Sequence, residues 1–140
     1  EVVTLWLAVD DSLPENGCMR VISGAHTMDL QEMQRVSEVK SVLSSSIDSE
    51  LVDESRAVDV VLEAGGVSVH HPNLVHGSNP NTSNERRAGV AIRYMPATSH
   101  FNRSLYETSD DAGYLVNMAT RPFWLLRGKD RSNNDLQIGH

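Results

Sequence analysis

Apolar residues fall in short runs separated by turn-forming clusters, and the first run opens the chain. Residues Val2 to Val9 (VVTLWLAV) are apolar at both even and odd positions, which predicts a short strand covered on both faces. Asp10 to Gly17 (DDSLPENG) interrupts it with side chains that bend the backbone or hydrogen-bond to it. A second strand is expected over Cys18 to Ser23, closed by Gly24, and the pair predicts a hairpin or a corner of one sheet. Between Thr27 and Val39, Leu30, Met33 and Val36 recur at helical spacing behind a Thr or Asp cap, so a short surface helix is expected. Ser41 to Glu54 is rich in Ser and acids and shows little period, as in an excursion between β elements and the stretch most prone to disorder.

From Ala57 the β pattern returns as AVDVVL, a turn over residues 63 to 66, VSVHH, a Pro72-Asn73 break and LVHGS. A polar loop from Asn79 to Glu85 leads into RRAGVAIRYMP, a strand closed by Pro96. Five or six short strands joined by turns predict an all-β sandwich or barrel. The tail offers two further elements, Ala112 to Ala119 and Phe123 to Leu126. With no internal repeat and no linker, the 140 residues are expected to form a single domain.

Charge and composition narrow the partners. Twelve Lys and Arg against nineteen Asp and Glu give a net charge of −7, which repels a phosphate backbone, so nucleic acid is not expected. No apolar run approaches the roughly 18 residues a spanning helix needs, so no membrane role is expected. The single cysteine, Cys18, cannot form an internal disulfide or a Cys-rich zinc site, and it suits a reducing, cytoplasmic compartment. The opening Glu-Val-Val-Thr has no basic leader and no initiating Met, and a chain that starts inside a β pattern is expected to be the interior of a longer sequence.

The candidate chemistry is concentrated late in the chain. Six histidines are present (His26, His70, His71, His76, His100 and His140), yet no HxH, HxD, HxE or HExxH occurs, so no complete local metal site can be written. Hydrolase elbows and phosphate-binding glycine loops are absent as well. What remains is Gly65 to Pro96, where His76 ends a strand, Gly77-Ser78 follows, and Arg86 and Arg87 open the next strand. Antiparallel pairing of those two strands as a hairpin would put these groups on one sheet. An imidazole ligand and a guanidinium facing one interior suit a metal-chelating dicarboxylate, because Arg grips a carboxylate through two parallel hydrogen bonds. Strand alternation lets only one arginine of the pair face inward, and only one of His70 and His71. Judged on its strand alone Trp6 is a core residue, and His26 is a capping or packing residue. Asp10, Asp11 and Glu15 belong to a turn whose side chains bind backbone amides.

Residues 5 to 26 (LWLAVDDSLPENGCMRVISGAH) and 63 to 96 (EAGGVSVHHPNLVHGSNPNTSNERRAGVAIRYMP) together resemble the C-terminal half of the phytanoyl-CoA dioxygenase family. The resemblance implies a non-haem Fe(II), 2-oxoglutarate-dependent oxygenase that uses O2, built on a double-stranded β-helix (jelly roll) that is incomplete here and carries a short helix or loop excursion. It places His76 on the family's distal iron ligand and Ser78 where a hydroxyl contacts 2-oxoglutarate. Arg87, eleven residues after His76, falls on the arginine that holds the distal carboxylate, with Arg86 the alternative if the loop is one residue shorter. Trp6 falls on an aromatic position lining the cosubstrate pocket. The other two iron ligands, an HxD pair, are expected upstream of Glu1, which makes residues 1–140 the C-terminal part of the oxygenase domain. A small-molecule substrate and a homodimer formed through an open sheet edge complete the expectation. Two rivals remain: a halogenase of the same superfamily, with chloride in place of the carboxylate ligand, and a non-catalytic jelly-roll module that binds an anion through Arg87.

Overall fold

The computed structural model describes residues 2–29, 33–35, 45–106 and 119–138. They form two compact units, one from residues of 2–35 and 45–94 and the other from residues after Tyr94. Among the described residues the first unit contains eight short strands: β1 (Val3–Ala8), β2 (Met19–Ile22), β3 (Met33–Arg35), β4 (Ser45–Ile47), β5 (Ala57–Val60), β6 (Val67–His70), β7 (His76–Ser78) and β8 (Gly89–Tyr94). Only 3-10 turns accompany them among the described residues, so the unit is β-rich as its turn-punctuated sequence predicts.

The strands assemble into two three-stranded antiparallel sheets, ordered β6-β1-β8 and β5-β2-β7, with β3 and β4 paired separately. From β5 to β8 the chain alternates between the two sheets, so each connection carries it across from one to the other. This overturns both expected hairpins. β1 and β2 lie in different sheets, as do β7 and β8. The reason lies in the connections. After β1 a 3-10 turn at Pro14–Asn16 is held by Asn16, whose Oδ1 accepts from the Leu13 amide at 2.7 Å while its Nδ2 donates to the Asp11 carbonyl at 2.8 Å. That buried asparagine redirects the backbone, and reciprocal Ser12–Leu62 hydrogen bonds pin the crossing. The β7–β8 loop is strapped over the same corner, with the Thr82 amide donating to the Glu15 carbonyl at 3.1 Å.

The helix expected over Thr27 to Val39 is not formed where it can be seen. Ala25–Thr27 is a 3-10 turn and Met33 lies in β3, while Leu30 and Val36 fall outside the described residues. Three apolar positions are too few to offset helix nucleation, whereas pairing with β4 supplies the same backbone with partners. Much of the expected Ser41 to Glu54 excursion is therefore ordered, with β4 and a 3-10 turn at Ser49–Leu51 inside it.

Strand β1 is apolar on both faces but covered on one. Thr4 and Ala8 are buried, and Trp6 lies between them on the same face. The opposite face presents Val3, Val67, Val69, Val90, Ile92 and Tyr94, each at least 37% exposed, around Leu5 and Leu7. The apolar core is correspondingly small: Ala8, Cys18, Met19, Ile22 and Ala25.

In the second unit β9 (Trp124–Leu125), within the expected Phe123 to Leu126 element, pairs in parallel with β10 (Gln137–Ile138). Buried Asn134 ties its loops, accepting from the Phe101 amide at 2.8 Å and donating to the Ser99 carbonyl at 2.7 Å. Of the element expected at Ala112 to Ala119, all but the last residue lies outside the described residues. No helix among the described residues is long and apolar enough to cross a membrane.

Gly17 closes the Pro14–Asn16 turn at φ +80°, where an added Cβ would stand 2.7 Å from the Asn79 carbonyl oxygen. Gly17→Ala is therefore expected to cost about 1–3 kcal/mol through strained backbone and displacement of the β7–β8 loop. Urea denaturation of wild type and variant side by side checks it.

Candidate metal and cosubstrate site

The inner face of the β6-β1-β8 sheet follows from its register. Thr4 lies opposite His70 on one side and Arg93 on the other, and Trp6 lies opposite Ser68 and Ala91. Ala8 lies opposite Gly89. Directly opposed residues project from the same face, so His70, Ser68, Thr4, Trp6, Ala8, Gly89, Ala91 and Arg93 share one surface. Gly89 is required there by space, because the Trp6 indole occupies the position a Cβ would take. The guanidinium of Arg87, two residues before Gly89, lies 5.7 Å from the centre of the indole, within cation–π range.

The paired arginines have separate tasks. Arg86 is exposed and grips Asp10 through two hydrogen bonds, Nε to Oδ2 at 2.8 Å and Nη2 to Oδ1 at 2.7 Å. Asp10 also accepts the Ala88 amide at 2.8 Å. The Arg86 hydrogen bond first, and the Ala88 amide second, hold the Asp10 carboxyl below its ordinary 3.8. Arg87 is half-buried and has no carboxylate partner among the described residues. Asp10 and Asp11 thus bind backbone amides, as expected, but those of distant segments and not of their own turn, Asp11 accepting from Ala64 at 2.7 Å.

His76 comes from the other sheet. It lies on β7 opposite Val21, with Ser78 two residues on and on the same face. Its Nδ1 lies 2.6 Å from the Leu74 carbonyl oxygen, which selects the tautomer that donates from Nδ1 and leaves the Nε2 lone pair free. The His70 ring stands 5.6 Å from that of His76, bridging the two sheets. Its neighbour His71 faces elsewhere, 5.8 Å from the His26 ring, and its Nδ1 accepts the Asn73 amide at 3.1 Å. Burial first, then His76 and Arg93, keep the His70 imidazole below its ordinary 6.5. Its Nδ1 and the Ser68 hydroxyl are both buried without a hydrogen-bond partner. Neither Ser68 nor Arg93 is legible as a site residue in a linear reading; the only local signal is the two-residue spacing from His70 and across β8.

Cys18 is buried, and burial pushes its thiol up, away from the reactive thiolate. Among the described residues no three His, Cys, Asp or Glu side chains converge as a metal site, so they place His76, with His70 beside it, and not a full ligand set.

The sequence profile of phytanoyl-CoA dioxygenase (PhyH) matches residues 1–89. The chain belongs to the phytanoyl-CoA dioxygenase family. It is 32% identical over 98 residues to phytanoyl-CoA dioxygenase domain-containing protein 1 of Rattus norvegicus, a match covering 69% of this chain and 34% of that protein. Among solved structures it resembles the non-heme monooxygenase ThoJ in its apo form, at 34% identity and a TM-score of 0.53, over 69% of this chain and 33% of that one. It resembles also the epimerase SnoN, solved with Fe3+, alpha ketoglutarate and nogalamycin RO, at 26% identity and a TM-score of 0.53, over 69% of this chain and 36% of that one. The chain spans about a third of the length of the curated relatives it matches. One of these two similar structures is thus a non-heme monooxygenase and the other an epimerase that holds Fe3+ and alpha ketoglutarate, so proteins that share this β-rich unit differ in reaction.

The Asp10–Arg86 clamp makes a pH prediction. A carboxyl whose folded value is lowered stabilises the fold above its ordinary 3.8 and loses that contribution as pH falls through the lowered value. Thermal unfolding followed from neutral pH down to about pH 3 should show wild type losing this component, and Asp10→Asn lacking it throughout.

Proposed function

We propose that the chain is the cosubstrate-holding part of an Fe(II)/2-oxoglutarate-dependent oxygenase with a jelly-roll fold, acting on a small-molecule substrate with O2. The observation that carries this reading is the division of the arginine pair. Arg86 is consumed by Asp10, and Arg87, just before β8, lies over Trp6 with no carboxylate partner among the described residues, while His70 of the same sheet stands against His76. The residues present fit the group. Nε2 of His76 is free for iron because Nδ1 is engaged by the Leu74 carbonyl. Arg87 would take the distal carboxylate of 2-oxoglutarate, Ser78 would donate its hydroxyl to the cosubstrate, and the indole of Trp6 would form the apolar wall beside it. Iron, when bound, supplies the oxidative decarboxylation of 2-oxoglutarate by O2.

A 2-His-1-carboxylate centre needs two ligands besides His76, and we assign them to an HxD pair encoded upstream of Glu1. The exposed apolar face of β6-β1-β8, together with its two sheet edges, supports association of two copies when the chain is expressed by itself.

In the intact protein, Arg87→Ala should weaken 2-oxoglutarate binding about 30-fold or more, since a bidentate contact to a carboxylate contributes about 2–4 kcal/mol, while Arg86→Ala should do much less. Calorimetric titration of 2-oxoglutarate with and without Fe(II), under nitrogen, reads both effects; affinity indifferent to metal would favour the binding-module reading. Purified alone, the 140-residue chain should bind Fe(II) weakly and self-associate at tens of micromolar, and V69K/I92K should shift it toward monomer in light scattering.

A further inference from the structure

The inner face of the β6-β1-β8 sheet carries a second basic position that the proposed cosubstrate cannot use. Its rows run in order along β1. His70, Thr4 and Arg93 stand abreast in the first, Ser68, Trp6 and Ala91 in the next, and Ala8 and Gly89 in the third. Arg87 enters beyond Gly89 and reaches back over the indole. Arg93 and Arg87 are six residues apart in sequence, which along an extended chain is about 20 Å between their Cα atoms. A single small dicarboxylate cannot engage both.

His76 decides which end is which. Its ring lies against His70, at the Arg93 end of the face. A cosubstrate bound to metal on His76 and to Arg87 extends over Trp6, away from the first row, and leaves that row free. The row is polar, and one of its buried atoms is unsatisfied. The His70 Nδ1 is buried without a partner, Thr4 is 6% exposed, and Arg93 is exposed with no carboxylate against it among the described residues. A buried imidazole nitrogen with no hydrogen bond is costly unless something fills the place in front of it. Arg93, its Cα two strand spacings or about 10 Å from that of His70, carries a guanidinium with the fork geometry to hold an oxyanion.

We propose that His70 and Arg93, on either side of Thr4, form the recognition subsite for the primary substrate, and that this substrate carries an oxyanion, a carboxylate or a phosphate-type group. The proposal rests on the oxygenase reading above and adds the substrate class to it. Arg93 holds the anion at the open edge of the sheet, and the Nδ1–H of His70 donates to a substrate oxygen nearer the metal. The molecule is thereby oriented with its anionic end away from Arg87, so the two anions of the reaction do not compete for one arginine.

The test uses the intact protein with Mn(II) in place of iron and saturating 2-oxoglutarate, probed with methylphosphonate and, separately, propionate. Paramagnetic broadening of the probe's 31P or 13C signal reports its affinity and its proximity to the metal. At least one probe should bind saturably, and the one that does identifies the anion. Arg93→Gln should weaken it on the order of tenfold or more and Arg93→Lys should retain most of it, with 2-oxoglutarate affinity held in both as proof of folding, and His70→Phe should weaken it several-fold. A probe bound equally well by Arg93→Gln, or lost in Arg87→Ala and not in Arg93→Gln, overturns the proposal while leaving the oxygenase reading intact. A protein that takes up neither Mn(II) nor 2-oxoglutarate overturns both.

Discussion

Strand β1 is hydrogen-bonded along both edges, to β6 from Thr4 to Leu7 and to β8 from Val3 to Ala8, and this double pairing decides the direction of every side chain at the site. A slip of one residue in either register would exchange the Thr4–Trp6–Ala8 face for the Val3–Leu5–Leu7 face and turn the basic and imidazole groups outward. Gly89 guards the register locally, because the indole of Trp6 fits only against a residue without a Cβ. The packing of one tryptophan on one glycine therefore links the strand pairing to the position of Arg87, whose guanidinium rests on that indole.

The second constraint is electrostatic and acts through position more than through stability. Asp10 lies where β1 ends, and it binds both Arg86 and the Ala88 amide at the entry to β8. An exposed ion pair of this kind contributes little to folding free energy. Its effect is to fix the two residues flanking Arg87, so that alternation along the chain turns Arg87 toward the indole. The two arginines are adjacent in sequence and opposite in task because one carboxylate is placed to take only the first.

Seen across the two sheets, the site is made from four strands that are not consecutive in sequence: β1, β6 and β8 from one sheet and β7 from the other. Crossing between sheets at each connection from β5 to β8 brings His70 and His76, six residues apart, to within 5.6 Å of one another as ring centres. An oxygenase that must hold a cosubstrate and a primary substrate around one metal has use for groups arriving from both sides.

What the sequence by itself determined is local. The positions of β1, β2, β5, β6, β7 and β8 follow from apolar runs bounded by Asp, Asn, Gly and Pro, because strand formation and turn chemistry are encoded within a few residues. His76 and the Arg86–Arg87 pair stand out in the sequence because a histidine followed by Gly-Ser and a loop precedes two adjacent arginines and an apolar run. Only the tertiary structure decided which strands pair, and it replaced both expected hairpins with sheet crossings, since partner choice depends on hydrogen bonds such as Ser12–Leu62 between residues fifty apart. It also turned the Met33 segment from the expected helix to a strand by offering it β4 as a partner. Arg86 and Arg87, equivalent in a linear reading, were distinguished by Asp10, and Ser68, His70 and Arg93 became neighbours only through the register of β1. Side-chain direction alternates with a period of two along any strand, so the sequence sets the alternation and the pairing sets its phase.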